Sequence, residues 1–158
     1  MTAPTPSQTV GPFFGFALPF ENDSNATVGE SGIAIRVEGQ VLDGAARAVS
    51  DALVEAAQSD QFARCRTDAE GAFHLTVRKP ATIAGAPCLS ITVFARGLLR
   101  HLSTRMYFPD EDRANRADPV LKMVDESRRQ TLVARADGDV LHFDIRLQGE
   151  AETVFFAL

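Results

Sequence analysis

An apolar residue at every second position, in run after run, is the feature that most limits what this chain can become. Ile33, Ile35, Val37 and Val41 alternate with Ala34, Arg36, Glu38 and Gln40. Phe73, Leu75 and Val77 alternate with His74, Thr76 and Arg78, and Leu89, Ile91 and Val93 with Ser90 and Thr92. Successive side chains of a strand point to opposite faces, so this pattern makes half-buried strands. Leu53–Ala57 and Leu102–Phe108 add two more strand-like runs, with turn signals at Asp43-Gly44 and Asp68–Gly71. Near the C-terminus, Thr131–Arg135, then Asp137-Gly138, then Leu141, Phe143, Ile145 and Leu147 read as a hairpin. The stretch from Pro109 to Glu126 breaks the pattern. It is charged, and Pro109 and Pro119 suit first helical positions, so one or two short helices are expected. The sum is an all-β protein over residues 32–158, an antiparallel β-sandwich with a short helical excursion.

Residues 1–31 read as an extended N-terminal arm and a linker. Pro4, Pro6, Pro12 and Pro19 each remove a backbone donor, and Gly11 and Gly15 loosen the chain, which argues against a helix or a central strand. Phe13, Phe14, Phe16 and Phe20 lie in the same segment. Four phenylalanines on an irregular segment are costly to leave in water, so the arm is expected to lie on another surface. Glu21 to Ser31 is a polar linker.

Composition narrows the function. At 158 residues and 45% hydrophobic, the chain suits one domain with a core able to fold unaided. A net charge of −5 with scattered Lys and Arg argues against nucleic acid and against an anionic membrane surface. No apolar run nears the ~20 residues of a membrane-spanning helix, and Met1–Pro6 has none of the features of a signal peptide. Cys65 and Cys88 lack CxxC spacing and are expected to be reduced and buried, in a cytoplasmic protein.

Metal chemistry finds little support in the residues. Tyr107 is the single tyrosine, and His74, His101 and His142 are far apart, with no i, i+2 or i, i+4 pair. His74 and His142 fall on the outward faces of their strands, His101 precedes a strand, and Tyr107 reads as structural. No nucleophile elbow and no phosphate-binding glycine motif occurs.

Several segments in order resemble the intradiol ring-cleaving dioxygenases. These are Thr5-Pro-Ser-Gln-Thr-Val-Gly-Pro-Phe13, Phe94-Ala-Arg-Gly97, Thr104-Arg-Met-Tyr-Phe108, Phe143-Asp-Ile-Arg-Leu-Gln-Gly-Glu150 and Glu152-Thr-Val-Phe-Phe156. The likeness is to the non-catalytic α subunit of the hetero-oligomeric members. It implies a partner, a homologous β subunit holding Fe3+ through two tyrosinates and two histidines and cleaving 3,4-dihydroxybenzoate with O2 to 3-carboxy-cis,cis-muconate. Where that β subunit carries its paired histidines, this chain reads Pro87-Cys-Leu-Ser-Ile91, so no metal ligand is expected here. The resemblance assigns substrate binding to Arg96, from the Phe-Ala-Arg-Gly motif, and to Thr9, Gly11 and Pro12 of the arm. It also leads one to expect a longer segment between Gln58 and Phe73. Two other readings compete: a non-catalytic β-sandwich interaction module without an iron partner, and a homo-oligomeric dioxygenase, which the single tyrosine opposes.

Overall fold

The computed structural model describes residues 9–27, 33–58, 60–81 and 85–157. Thr5–Gln8 of the arm motif and the expected boundary at 31/32 lie outside these residues. Among the described residues nine strands form two sheets: β1 Ala34–Leu42, β2 Leu53–Gln58, β3 Gln61–Arg66, β4 Ala72–Arg78, β5 Cys88–Phe94, β6 Leu102–Tyr107, β7 Arg135–Asp137, β8 Val140–His142 and β9 Ile145–Arg146. One sheet runs β4-β1-β8-β7 with β9 also on β1, and the other runs β3-β2-β5-β6. The alternating residues within the strands face inward as their period requires, whereas Ile33, just ahead of β1, is 85% exposed. Val37, Leu75 and Val77 from the first sheet meet Val54, Ile91, Val93 and Met106 from the second in the main core.

The helical excursion also exists. A 3-10 turn at Pro109–Glu111 leads into α2, Asp112–Ala117, and α3, Pro119–Met123; a second 3-10 segment spans Glu126–Leu132. It covers part of the outer face of the second sheet, where Tyr107, Leu121, Val124 and Leu132 form a smaller core.

Four local expectations are corrected. The arm contains one helical turn, α1 at Phe14–Ala17, closed by Phe16 and Ala17 amides on the Phe13 carbonyl. The strand β3 was not legible, because its inward positions carry Gln61, Ala63 and Cys65 rather than large apolar groups. Buried Gln61 is satisfied by the Arg78 backbone, donating to its carbonyl at 2.8 Å and accepting from its amide at 2.9 Å. The C-terminal hairpin turns one residue later than expected, at Gly138-Asp139, and Thr131–Leu132 are helical. Its second strand is broken into β8 and β9, and both run parallel to β1, so the sandwich is mainly but not wholly antiparallel.

The break has a local cause. The Phe143 amide bonds the Glu38 carbonyl at 2.8 Å, and the Asp144 carboxylate then takes the Gln40 amide at 3.0 Å in place of a main-chain oxygen. The two chains approach so closely that a β-carbon on Gly39 would lie 2.0 Å from the Phe143 carbonyl oxygen.

Cys65 and Cys88 are unpaired and half-buried rather than buried, and burial raises both thiols above their ordinary value. Among the described residues no helix is long and apolar enough to cross a membrane.

Candidate substrate-facing edge of the second sheet

Arg96 sits at an exposed corner immediately after β5. The Leu98 amide closes the corner on the Ala95 carbonyl at 3.3 Å, and Gly97 takes the left-handed conformation (φ +84°) that such a turn needs at its third position. The side chain is 69% exposed, and its Nε meets the Asp51 carboxylate at 2.7 Å. Asp51, from the turn before β2, was not singled out by sequence; nothing local marks it, since register alone brings β2 beside β5. One guanidinium edge is held, and the side chain stays largely open to solvent. An exposed ion pair of this kind stabilises the fold little, but it orients the arginine.

The arm reaches the same end of this sheet. Arg66, Leu53 and Phe94 are successive cross-strand neighbours on β3, β2 and β5, so Arg66 and the Arg96 turn lie roughly 10 Å apart in strand spacings. Against β3 rests α1: a β-carbon on Gly15 would lie 3.4 Å from Arg66 Nε, and the Arg66 guanidinium lies 5.2 Å above the Phe16 ring. Arg64, paired with Glu55 at 2.6 Å, also donates to the Leu18 carbonyl and lies over Phe20 and Phe62. Phe14 is buried, whereas Phe13 and Phe16 are each 73% exposed. Thr9 and Pro12 are exposed, and half-buried Gly11 has φ +85° with open space beside it. Among the described residues no hydrogen bond joins Thr9, Gly11 or Pro12 to Arg96; the fold brings arm and arginine to one end of the sheet without joining them.

The possible metal donors are dispersed. Tyr107 is fully buried and donates its hydroxyl to Asp118 at 3.1 Å. Burial, with the nearby Asp118 and Cys88 adding to it and Arg105 opposing it, pushes this phenol up to about 12, so a phenolate is strongly disfavoured. His74 and His142 flank Glu38 on the outer face of the other sheet. His101 is exposed beside the Phe94 ring. Among the described residues no three His, Cys, Asp or Glu side chains are grouped to hold a metal ion. A ferric site of two phenolates and two imidazoles does not fit this chain.

Asp118 is what the helical excursion is built on. Its carboxylate caps α3 through the amides of Val120 and Leu121, takes the Ala86 amide, each at 2.9 Å, and accepts the Tyr107 hydroxyl. Asp-Pro at 118–119 is a cap signature that sequence offered and that pattern reading passed over.

The two-sheet architecture is the β-sandwich of the intradiol dioxygenases. One solved example, the dioxygenase domain of a dioxygenase–carbohydrate-binding fusion from Streptomyces sp. SirexAA-E, superposes with a TM-score of 0.63 at 25% identity, covering 93% of this chain and 99% of that one. Among curated proteins, the protocatechuate 3,4-dioxygenase alpha chain of Burkholderia cepacia is 40% identical over 96% of both chains, and that of Pseudomonas putida 37% identical over 96% of this chain and 95% of its own. The chain belongs to the family of protocatechuate 3,4-dioxygenase alpha chains. No family model matches it. The Burkholderia alignment spans 189 positions against 158 residues here, so that relative carries segments this chain lacks. Between Gln58 and Phe73 the chain is taken up by the β2–β3 hairpin and the turn into β4.

Proposed function

We propose that this chain is the metal-free α subunit of a protocatechuate 3,4-dioxygenase, and that it completes the substrate pocket of a homologous β subunit carrying Fe3+. The observation that carries the reading is Arg96: an exposed guanidinium held by Asp51 on a tight turn, at the sheet end where the aromatic arm also lies. The ring-opening chemistry belongs to the partner. This chain's task is to bind and to exclude water. The carboxylate of 3,4-dihydroxybenzoate would take two parallel charge-assisted hydrogen bonds from Arg96, while Thr9, Gly11 and Pro12 would close the pocket from the arm. The left-handed Gly11, with nothing beside it, suits a backbone that must approach a ring closely. A cytoplasmic location accords with the two unpaired cysteines.

In the reconstituted complex, Arg96→Ala should lower kcat/KM for 3,4-dihydroxybenzoate about ten- to a hundredfold. This corresponds to ~1.5–3 kcal/mol for hydrogen bonds to a charged group. Plain catechol, lacking the carboxylate, should change less than about threefold. Steady-state oxygen uptake measures both, and equal losses would remove Arg96 from this role.

The arm gives a separate test. Phe13→Ser combined with Phe16→Ser removes two exposed rings that the isolated fold does not need. Sedimentation should show assembly with the β subunit weakened about tenfold or more, with the thermal midpoint of the free chain unchanged. Undiminished assembly would mean that the arm does not dock on the partner.

A further inference from the structure

The outer face of the second sheet is covered at one side by α1 and at the other by α3 and the C-terminal segment. Between them lies a cleft of about 370 Å³, lined chiefly by Ser90, Thr92, Ser103, Arg105, Met123 and Phe156. Strand register builds it. Ser90 pairs with Arg105 and Thr92 with Ser103 across β5 and β6, so three hydroxyls and a guanidinium share one patch. Arg105 is half-buried, 5.9 Å above the Phe156 ring; it donates to the Tyr107 hydroxyl at 3.4 Å and also interacts with the Cys88 thiol beside it. Among the described residues no carboxylate pairs with it, in contrast to Arg64 with Glu55 and Arg96 with Asp51. A guanidinium carries five N–H donors in a planar fork, more than Tyr107 and Cys88 can take, and this one faces an apolar wall.

We propose that this cleft is a second binding site, for a small aromatic carboxylate. The carboxylate takes two parallel hydrogen bonds from Arg105, and the ring lies against Phe156 and Met123. Ring hydroxyls, where present, meet Ser90, Thr92 or Ser103. The volume lies within the range of small-ligand pockets. The site is on this chain alone and does not depend on the role given to Arg96.

The test is titration of the full chain with 4-fluorobenzoate, followed by 19F NMR and calorimetry, with benzyl alcohol and acetate as controls. We expect saturable one-to-one binding, at least tenfold weaker binding of either control, and affinity at least tenfold lower in Arg105→Gln. Ser90→Leu, which fills the cleft and leaves the guanidinium in place, should abolish binding even if Arg105→Gln disturbs the fold. Arg96→Gln should bind as the unaltered chain does. Absence of saturation, undiminished binding in Ser90→Leu or in folded Arg105→Gln, or loss of binding in Arg96→Gln would overturn the proposal.

Discussion

Gly39→Ala should leave the chain unable to hold its native fold. The added methyl would stand 2.0 Å from the Phe143 carbonyl oxygen, 2.7 Å from its carbon and 2.9 Å from the Phe73 ring. Two of these atoms are backbone, so no rotamer change relieves the contact. Either β1 must part from Phe143, losing the Glu38 and Asp144 hydrogen bonds that carry the chain from β8 to β9, or the core around Phe73 must open. Overpacking a well-filled core costs about 1–3 kcal/mol even where side chains can adjust. Here we expect at least ~4 kcal/mol, a large part of the ~5–15 kcal/mol that holds an ordinary domain together. Urea or thermal unfolding measures it directly. An alanine variant melting within a few degrees of the unaltered protein would show that the close approach does not exist.

Asp118→Ala should be nearly as damaging. Asp118 is 3% exposed, and its carboxylate satisfies three amides and the Tyr107 hydroxyl; without it those donors lose their partner. Each orphaned group costs about 1–3 kcal/mol, and a lost cap alone about 1, so ~3–5 kcal/mol is expected in chemical unfolding. Asp118→Asn, which keeps an acceptor oxygen, should lose less. The effect also depends on pH. Burial works to raise the Asp118 carboxyl, but the hydrogen bonds from Ala86, Leu121, Tyr107 and Val120 outweigh it and hold the group below its ordinary 3.8. A depressed folded value means that the carboxylate's contribution is complete above about that pH and is lost as pH falls through the folded value. Asp118→Ala and the unaltered protein should therefore converge in stability in acid. A gap that stayed constant down to pH 2 would show that the carboxylate's charge is not what these donors require. A steric reason also binds this site together: a β-carbon on Gly85 would lie 2.4 Å from Asp118 Oδ2, and φ there is +80°.

Strands were legible in the sequence where burial alternates cleanly. Val37 and Val41, Leu75 and Val77, and Leu89, Ile91 and Val93 all face the core that their period demands. β3 was missed because it presents Gln61, Ala63 and Cys65 inward, and its Gln61 is accommodated by the Arg78 backbone, a contact no local pattern announces. The parallel pairing of β8 and β9 with β1 was also hidden, since it depends on Asp144 replacing a main-chain oxygen and on the missing side chain of Gly39. Proline content suggested an arm without helix, yet a single turn forms at Phe14–Ala17, within the proline-free interval between Pro12 and Pro19. At the site, Arg96 was found through its motif, whereas Asp51, its ion-pair partner, lies 45 positions earlier in the chain and meets it only because β2 pairs with β5. Tyr107 read as structural, but neither its burial under the helical excursion nor its bond to Asp118 was legible from its strand.

The most direct test is iron content. Purified by itself, the chain should contain no stoichiometric iron and show no visible tyrosinate-to-iron absorption. Purified after co-expression with a homologous β subunit, the complex should hold one iron per αβ pair and consume O2 with 3,4-dihydroxybenzoate. One equivalent of tightly bound iron in the chain alone, with a visible charge-transfer band, would contradict a metal-free role.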